Sequence, residues 1–253
     1  MSRALDWTAV SDDPNSAAAK AAVRDWLARA RHLHLDCDVL GYAETLVRGK
    51  RVLDIGVVSH SARYFDQPGW RHGRISRAAG YCLGLDILAP LVDELRQRGF
   101  NVRCVDATSD ADLGERFEIV FAGDVIEHVD NAVALLRFAG RHLEPGGRLY
   151  VTTPNPFSRK FYRQFRREGV MVTNLDHVAW ISPTMALEIG RRAGLRLEAY
   201  HLAKPYAVLN RALHRFLWRF TPAEYAFPEF VYEFQRAMDI LEPTGRTARE
   251  NDD

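Results

Sequence analysis

The sequence predicts an α/β protein built on a doubly wound, mostly parallel sheet with helices on both faces. Five short apolar runs lie between residues 51 and 156, and each is typical of a strand that is buried on both faces. Segments of about 10–15 residues with helical periodicity lie between these runs. This alternation indicates repeated βαβ units, because parallel neighbouring strands need a crossover connection.

The composition is that of a soluble globular protein. The chain has 253 residues, of which 47% are hydrophobic and 26% charged, and its formal net charge is +1. This balance gives no electrostatic reason to expect nucleic acid or an anionic membrane as a partner. The first residues lack the apolar core of a signal peptide, and no run approaches the roughly 18 apolar residues of a membrane span. We therefore expect a cytoplasmic protein with no membrane contact, and the sequence leaves a homodimer open.

Residues 1–48 are predicted to form an N-terminal helical segment with a flexible start. From Ser16 onward, helical spacing places Trp26 and Ala30 on one apolar face, with arginine and lysine side chains opposite. A second short helix is expected over DVLGYAETLVRG. Both helices precede the first predicted strand, so they are expected to form an addition to the sheet rather than a part of it.

Residues 49–241 are predicted to form the main domain. Its first strands are expected in RVLDIG, YCLGLDIL, NVRCVDA, FEIVFAGD and GRLYVTTPNP. A helix in SPTMALEIGRRAGL, with Ser182 as its expected N-cap, and a strand in RLEAYHL follow. The domain is expected to contain an excursion over residues 155–181 and a helical insertion over residues 203–228.

The end of the chain has a less distinct pattern. Phe230, Tyr232 and Phe234 alternate as in a strand, while Phe230, Phe234 and Met238 also fit a helix. Of the two, we favour a last, antiparallel strand at the edge of the sheet. Residues 242–253 are polar and are expected to form a flexible tail.

Acidic residues fall in or just after four of the predicted strands, at Asp54, Asp86, Asp106 and Asp124. In open α/β sheets, ligands bind outside the carboxyl ends of the strands, near the point where the strand order reverses. Carboxylates gathered there suit a ligand rich in hydroxyl and amine donors, and they disfavour a pyrophosphate. Each aspartate could instead cap the helix that follows it.

The turn after the first predicted strand, RVLDIGVVSHS, lacks two expected glycines. A dinucleotide fingerprint needs glycine at positions 56, 58 and 61, and the S-adenosylmethionine spacing D-x-G-x-G-x-G needs it at 56, 58 and 60. The chain has Gly56, Val58, His60 and Ser61, so the glycines alone do not separate these interpretations. Asp54 and the acids farther along the chain favour the second.

Several motifs together resemble the class I S-adenosylmethionine-dependent methyltransferases, particularly the branch common among glycan and small-metabolite enzymes. They are VLDIG, GLDIL, VRCVDAT, FEIVFAGDVIEHVDN, LEPGGRLYVTTPNP and DHVAWISPTMALEIGRRAGL, in that order, over about residues 51–200. The resemblance implies a seven-strand Rossmann-like sheet with S-adenosylmethionine lying across the first four strands.

The resemblance also implies a set of cofactor-binding residues. Backbone groups of the turn would hold the methionine moiety, an acid would take the ribose hydroxyls, and the next strand end would contact the adenine. The path of the turn separately predicts that His60 begins the next helix, where its ring would lie near the cofactor's carboxylate. A solvent-facing His60 is the alternative. The expected cofactor residues are Asp54, Gly56, Val57, Val58, His60, Asp86, Ile87, Asp106, Ala107, Gly123 and Asp124.

The expected chemistry is an in-line methyl transfer in which the protein mainly aligns donor and acceptor. If the acceptor is a hydroxyl, a general base assists, and histidine suits neutral pH. His128 in DVIEHVDN is the predicted base and His177 the second candidate, with Glu127 orienting the base. A structural histidine and a helix-capping glutamate are the alternatives for these residues.

We expect no metal, although Asp124, Glu127, His128 and His177 are similar to the E-x-x-E-H…H set of small-RNA 3′-terminal 2′-O-methyltransferases, which bind a divalent cation. The excursion carries FSRKFYRQFRREG, which predicts either an amphipathic helix with a solvated basic face or a lid that recognises an anionic acceptor. The favoured function is methyl transfer to a small molecule or glycan, most readily at oxygen. An RNA-end methyltransferase, a non-catalytic binding domain of this fold and an NAD-linked dehydrogenase are the alternatives.

Overall fold

The computed structural model describes residues 4–203 and 220–237. Within these ranges the chain forms eight strands, which are β1 (Arg31–His34), β2 (Arg51–Ile55), β3 (Tyr81–Asp86), β4 (Val102–Cys104), β5 (Phe117–Gly123), β6 (Leu143–Pro154), β7 (Leu195–Ala203) and β8 (Glu229–Arg236). The described α-helices are α1 (Ala17–Ala30), α2 (Val39–Val47), α3 (Arg71–Ala78), α4 (Ala89–Gln97), α5 (Ala132–Arg141), α6 (Arg159–Glu168) and α7 (Pro183–Arg192).

All eight strands form one sheet in the order β1-β7-β8-β6-β5-β2-β3-β4. Every neighbouring pair is parallel except the two that include β8. The strand order reverses at β2, which pairs with β3 on one side and β5 on the other. The carboxyl ends of β2, β3 and β5 therefore meet at the point where α/β sheets bind ligands.

Helices cover both faces of the sheet, as the sequence predicts. Val52 packs in a cluster with Val47 of α2 and Ile75 of α3. The next residue of β2, Leu53, belongs to the cluster that contains Phe138 of α5. Successive side chains of a strand point to opposite faces, so these two clusters are the two layers of a doubly wound fold.

Two features of the sheet differ from the expectation. Residues 31–34, which follow α1 directly, form the extra strand β1, which pairs in parallel with β7 from Arg31↔Tyr200 to His34↔Ala203. β8 is an antiparallel strand, as expected, but it lies between β6 and β7 rather than at an edge. An interior strand is buried on both faces, and the side chains of Phe230, Val231 and Tyr232 are at most 1% exposed.

The helix ends follow the capping residues of the sequence. Ser16 accepts a hydrogen bond from the backbone N–H of Ala19, and Trp26 and Ala30 of α1 are buried. Ser182 accepts from the N–H of Met185, which makes it the expected N-cap of α7. No described helix is long and apolar enough to span a bilayer.

Some expectations concern residues outside the described ranges. Most of the predicted helical insertion over residues 203–228 lies in residues 204–219, which are outside them. The described remainder contains a bend and a short 3-10 turn, Ala223–Ala226. The predicted tail over residues 242–253 and the first three residues also lie outside the described part of the chain.

Candidate active site

A cavity of about 840 Å³ opens at the carboxyl ends of β2, β3 and β5. Its volume falls in the range of small-molecule and cofactor sites. It brings together twelve of the fourteen residues that the sequence analysis singled out. These residues are Gly56, Val58, His60, Asp86, Ile87, Asp106, Ala107, Gly123, Asp124, Glu127, His128 and His177.

Asp54 and Val57, the other two, lie beneath the cavity rather than in its wall. The side chain of Asp54 is fully buried, and its Oδ2 lies 2.8 Å from Nδ1 of His72 on α3. Val57 is buried, and its carbonyl accepts a hydrogen bond of 2.9 Å from Nε1 of Trp70. Both residues therefore support the cavity floor, and neither reaches a ligand in the cavity directly.

In the turn after β2, hydrophobic packing holds the backbone where glycines were expected. Val58 is 2% exposed and belongs to a hydrophobic cluster with Phe65, Trp70 and Val92. The left-handed backbone that glycine favours occurs at Gly56, with φ of 80°, and at Ser59 and His60, with φ of 50° and 61°. The turn thus takes a different path, in which the β-branched Val58 avoids positive φ.

His60 does not begin the next helix, contrary to expectation. It precedes a 3-10 turn, Ala62–Tyr64, which Ser61 caps, and α3 begins only at Arg71. The imidazole of His60 is 66% exposed, and its Nε2 lies 3.9 Å from Oδ2 of Asp176. It therefore faces the histidines described below rather than the N-terminus of a helix.

Two of the acids at strand ends line the cavity and also accept hydrogen bonds from nearby backbone N–H groups. Asp86 Oδ1 accepts from the N–H of Ile87 and Leu88 at 2.8 and 3.2 Å, and its Oδ2 accepts from the N–H of Val58 at 3.1 Å. Asp106 Oδ1 accepts from the N–H and the hydroxyl of Thr108. These bonds fix each carboxylate, but neither acid caps a helix, since the N-cap of α4 is Leu88, without a side-chain cap, and Asn131 caps α5. The capping alternative therefore fails for Asp86 and Asp106. Ile87, which is 66% exposed, offers an apolar surface beside them.

Arg71 is a site residue that the sequence analysis missed. From the first turn of α3 its guanidinium donates to the carbonyl of Gly56 and packs against Gly123, where a Cβ would lie 2.6 Å from Cζ of Arg71. Its Nε and Nη1 lie 3.9 Å from carboxylate oxygens of Asp54 and Asp124, respectively. No other described lysine or arginine lines the cavity. No signal in the sequence indicated it, since the next helix was expected to begin at His60 and α3 begins at Arg71.

Three histidines and an aspartate gather at one wall of the cavity. Nδ1 of His128 lies 3.2 Å from Oδ2 of Asp176, and the rings of His128 and His177 meet edge to face at 4.5 Å. His177 Nδ1 lies 3.1 Å from the hydroxyl of Thr173. The N–H of Val178 donates to the carbonyl of Glu127, which ties this loop to the end of β5. Asp176 was not singled out from the sequence.

Neighbouring charges and burial shift the pKa values in this cluster. Desolvation works against ionisation of Asp176, but His128 and His60 outweigh it and hold the pKa of that carboxyl below its usual range. Desolvation, with the charge of His128, lowers the pKa of His177. These shifts favour an ionised Asp176 and a neutral His177.

Glu127 is buried beside this cluster. Its side chain is 1% exposed, and neither carboxylate oxygen has a hydrogen-bond partner within residues 4–203 and 220–237. Desolvation, reinforced by Asp124, raises the pKa of Glu127 to about 8. The carboxyl is therefore mostly protonated at neutral pH in the absence of a cation.

Two overlapping sets of side chains could hold a metal ion. One is His60, His128 and Asp176, and the other is Glu127, His128 and His177, each with ligand atoms within 4.8 Å of one another. Nitrogen and oxygen donors of this kind suit zinc and other divalent transition metals. The unpaired carboxylate of Glu127 fits the second set, since a cation would supply its missing partner.

Comparison with known proteins agrees with the fold. Residues 27–200 match the family model described as a methyltransferase domain. The ubiquinone biosynthesis O-methyltransferase of Coxiella burnetii is 27% identical over 193 residues, which cover 69% of this chain and 78% of that protein.

Solved structures show the same fold at low sequence identity. The CcbJ methyltransferase of Streptomyces caelestis superposes with a TM-score of 0.54 and 18% identity, covering 78% of this chain and 94% of that one. The methyltransferase CalH, solved in complex with S-adenosylhomocysteine, gives a TM-score of 0.51 and 16% identity, covering 79% and 56%. With the family match over most of the sheet, the chain belongs to the class I S-adenosylmethionine-dependent methyltransferases.

Proposed function

We propose that the protein transfers a methyl group to a hydroxyl of a small-molecule or glycan acceptor, with His128 as the general base. The observation that carries this proposal is the pair of His128 and Asp176 at the wall of the cofactor cavity. When Nδ1–H of His128 donates to Asp176, the lone pair is left on Nε2, from which it can accept the hydroxyl proton. The name of the Coxiella burnetii relative, an O-methyltransferase, supports oxygen as the methylated atom.

We propose that the cavity holds the cofactor along the ends of the strands. Asp86 would accept from the ribose hydroxyls, with Ile87 packing on the adenine and Asp106 and Ala107 at its edge. Gly56, Val58, Gly123 and Asp124 would surround the methionine moiety. When bound, S-adenosylmethionine supplies a methyl group that is already activated on a sulfonium.

Arg71 completes this proposal. The methionine tail of the cofactor carries a carboxylate, and most charged side chains in the cavity wall are acidic. Among the described residues of the cavity wall, Arg71 is the lysine or arginine that can pair with that carboxylate. Because charge-assisted hydrogen bonds from a guanidinium are strong and directional, Arg71 is expected to anchor and orient the tail.

The excursion after β6 is proposed to cover the acceptor. It contains α6 and the following loop, and that loop brings Asn174, Asp176 and His177 into the cavity wall. The main domain over residues 49–241 would then supply both the cofactor site and the acceptor side. This arrangement places the proposed base between them.

Calorimetric titration and product release test the proposal together. The wild-type protein is expected to bind S-adenosylmethionine and S-adenosylhomocysteine, and to release S-adenosylhomocysteine when given a suitable hydroxyl acceptor. Catechols and free or nucleotide-linked sugars form the first panel. No binding at millimolar cofactor would instead favour the non-catalytic binding domain. Methylation of amines but not of hydroxyls in such a panel would contradict oxygen as the acceptor atom.

A metal-assisted methyltransferase acting on RNA ends is the second candidate. It is favoured by the unpaired carboxylate of Glu127, which lies with His128 and His177 in one potential ligand set. Activity on a short single-stranded RNA that is lost in EDTA and restored by a divalent cation would support it. Undiminished activity on a sugar or phenol in EDTA would favour the leading proposal.

A further inference from the structure

The segment between β6 and α7 exposes an unusual amount of apolar surface. Of the fourteen large apolar side chains that are exposed in the described chain, eight lie within residues 157–178. These eight are Phe157, Tyr162, Phe165, Val170, Met171, Val172, Leu175 and Val178. Scattered exposed apolar residues are normal, but a concentration in one segment marks a surface that contacts something else.

The same segment is basic. Within α6 there are five basic residues and one acid, namely Arg159, Lys160, Arg163, Arg166, Arg167 and Glu168. Helical spacing places Phe161, Tyr162 and Phe165 along one side, while the arginines follow the other. Phe161 is the buried member and packs edge to face on Trp180 at 4.9 Å, which fixes how α6 sits on the domain.

A second stretch of sequence repeats this chemistry. Residues 204–219 contain Lys204, Arg211, Arg215 and Arg219, no aspartate or glutamate, and apolar residues that include Phe216 and Trp218. Basic, aromatic and aliphatic residues without acids are typical of segments that bind at a membrane interface. Just after this stretch, the ring of Tyr225 lies 5.8 Å from that of Tyr162 on α6, so the chain returns beside the basic helix.

The apolar surface adjoins the mouth of the cavity. Leu175 and Val178, which are 96% and 60% exposed, flank Asp176 and His177 on the same loop. Asp176 and His177 themselves line the cavity. Whatever covers this loop from outside therefore lies next to the acceptor side of the site.

We propose that the surface formed by residues 157–178 docks on an anionic phospholipid bilayer. Its arginines would meet lipid phosphates, while its aliphatic and aromatic side chains would enter the interface. Nucleic acid would satisfy the arginines but would leave Val170, Met171, Val172 and Leu175 exposed. The net charge of +1 conceals this local excess of positive charge, which is why composition alone gave no reason to expect a membrane.

Docking of this kind would bring the cavity to the bilayer surface without any membrane-spanning helix. An acceptor carrying a lipid tail could then reach the site while its tail stays in the bilayer. Docking does not depend on methyl transfer, because the contacts described lie on the outer surface of α6 and its loop. It can be measured on the full chain without cofactor or acceptor, so its failure leaves the proposed function unaffected.

Co-sedimentation with vesicles tests the proposal. The full chain is expected to bind vesicles of phosphatidylcholine with phosphatidylglycerol, to bind pure phosphatidylcholine vesicles more weakly, and to be released by high salt. Arg163→Glu/Arg166→Glu is expected to weaken binding at least about tenfold, because each basic residue near an anionic surface contributes substantially. Phe165→Ser/Leu175→Ser is expected to weaken it several-fold without changing the dependence on lipid charge.

Matched control variants carry comparable substitutions outside residues 157–178. Arg24→Glu/Arg29→Glu reverses two charges on α1, and Met185→Ser removes an exposed apolar side chain from α7. Both are expected to bind vesicles like the wild type, and circular dichroism checks that every variant is folded. No wild-type binding to anionic vesicles, or equal binding by the α6 and α1 variants, would overturn the proposal. Retention of single-stranded RNA in place of vesicles, lost in Arg163→Glu/Arg166→Glu, would reassign the surface to nucleic acid.

Discussion

Nδ1 of His128 lies 3.2 Å from Oδ2 of Asp176, although His128 follows β5 and Asp176 belongs to the loop after α6. The contact joins the end of β5 to the loop that is proposed to cover the acceptor. Because one ring nitrogen faces a carboxylate, the other is left free for proton transfer. The proposed base therefore depends on the position of a loop, and this dependence can be tested by substitution.

His128→Ala is expected to lower kcat by about 10²–10⁴-fold, which is the usual contribution of a general base. Affinity for S-adenosylhomocysteine should change little, since the cofactor is proposed to lie along β2, β3 and β5. Single-turnover rates and calorimetry separate the two effects. His32→Ala, a change on β1 outside the cavity wall, is the control and should retain full activity. Normal turnover in His128→Ala would show that another group removes the proton.

Asp176→Asn is expected to reduce kcat less than Asp176→Ala, because an amide oxygen can still accept from Nδ1–H of His128 and alanine cannot. Single-turnover rates on the two variants measure the difference. Equal losses in the two variants would mean that the contact with His128 does not support the base and that Asp176 only holds the loop in place.

Arg71→Met is expected to weaken S-adenosylhomocysteine binding by about 10–100-fold, as the loss of a charge-assisted contact implies. Gly123→Ala should have a similar effect, because the new Cβ would lie 2.6 Å from Cζ of Arg71 and displace its guanidinium. The double variant should bind no more weakly than Arg71→Met, since both changes act on one contact. Arg24→Met, on α1 and outside the cavity wall, serves as the control.

The contribution of Glu127 to the stability of the protein is expected to fall as pH rises from about 4.5 to about 8. The folded pKa lies above the unfolded value, so the native state binds the extra proton in this window and unfolding releases it. Across this pH window, the loss of stability amounts to as much as about 5 kcal/mol. Glu127→Gln lacks this proton, and its stability relative to the wild type should therefore increase across the window.

Urea unfolding in EDTA measures this difference, because a bound cation would itself change the titration of Glu127. Parallel stability curves for the wild type and Glu127→Gln across the window would contradict the raised pKa.

Asp54→Asn is expected to destabilise the fold by about 1–3 kcal/mol, since it replaces the buried carboxylate that pairs with Nδ1 of His72. Asp86→Asn should instead lower cofactor affinity, with a smaller effect on stability, because its carboxylate lines the cavity. Thermal unfolding and calorimetry on the two variants distinguish them. The reverse pattern would place Asp54 in the ligand site, as the sequence suggested.

Local patterns were sufficient to predict the βαβ architecture and twelve of the residues that line the cavity. The ends of β2, β3 and β5 can be located in the sequence, because each apolar run stops at or near an acidic residue or a glycine such as Asp86 or Gly123. The order of the strands in the sheet then brings these ends together. The position of β8 within the sheet was not predictable in this way. The residues of a strand indicate whether the strand is buried, but they do not indicate which strands lie beside it. The short β1 was missed because Arg31–His34 continues directly from a helix with the same mixed composition.

The missed site residues share a physical reason. Arg71 reaches the cavity from a helix start, across a connection whose path depends on the packing of Val58 and Trp70. Asp176 arrives on a loop whose position depends on the bond from Val178 to Glu127. Both placements rest on contacts between distant parts of the chain, and no local spacing encodes them.

The interior position of β8 has a consequence for how the chain is assembled. β7 and β1 join the rest of the sheet through β8, whose pairing partners are β6 and β7. During synthesis, the strands from β2 to β6 emerge before β7 and β8 and can pair with one another. β1 and β7 can pair with each other, but the edge of β7 that pairs with β8 stays unpaired until residues 229–236 have been made. Such late, long-range pairing is slow and leaves strand edges exposed, so refolding is expected to end with the insertion of this one strand.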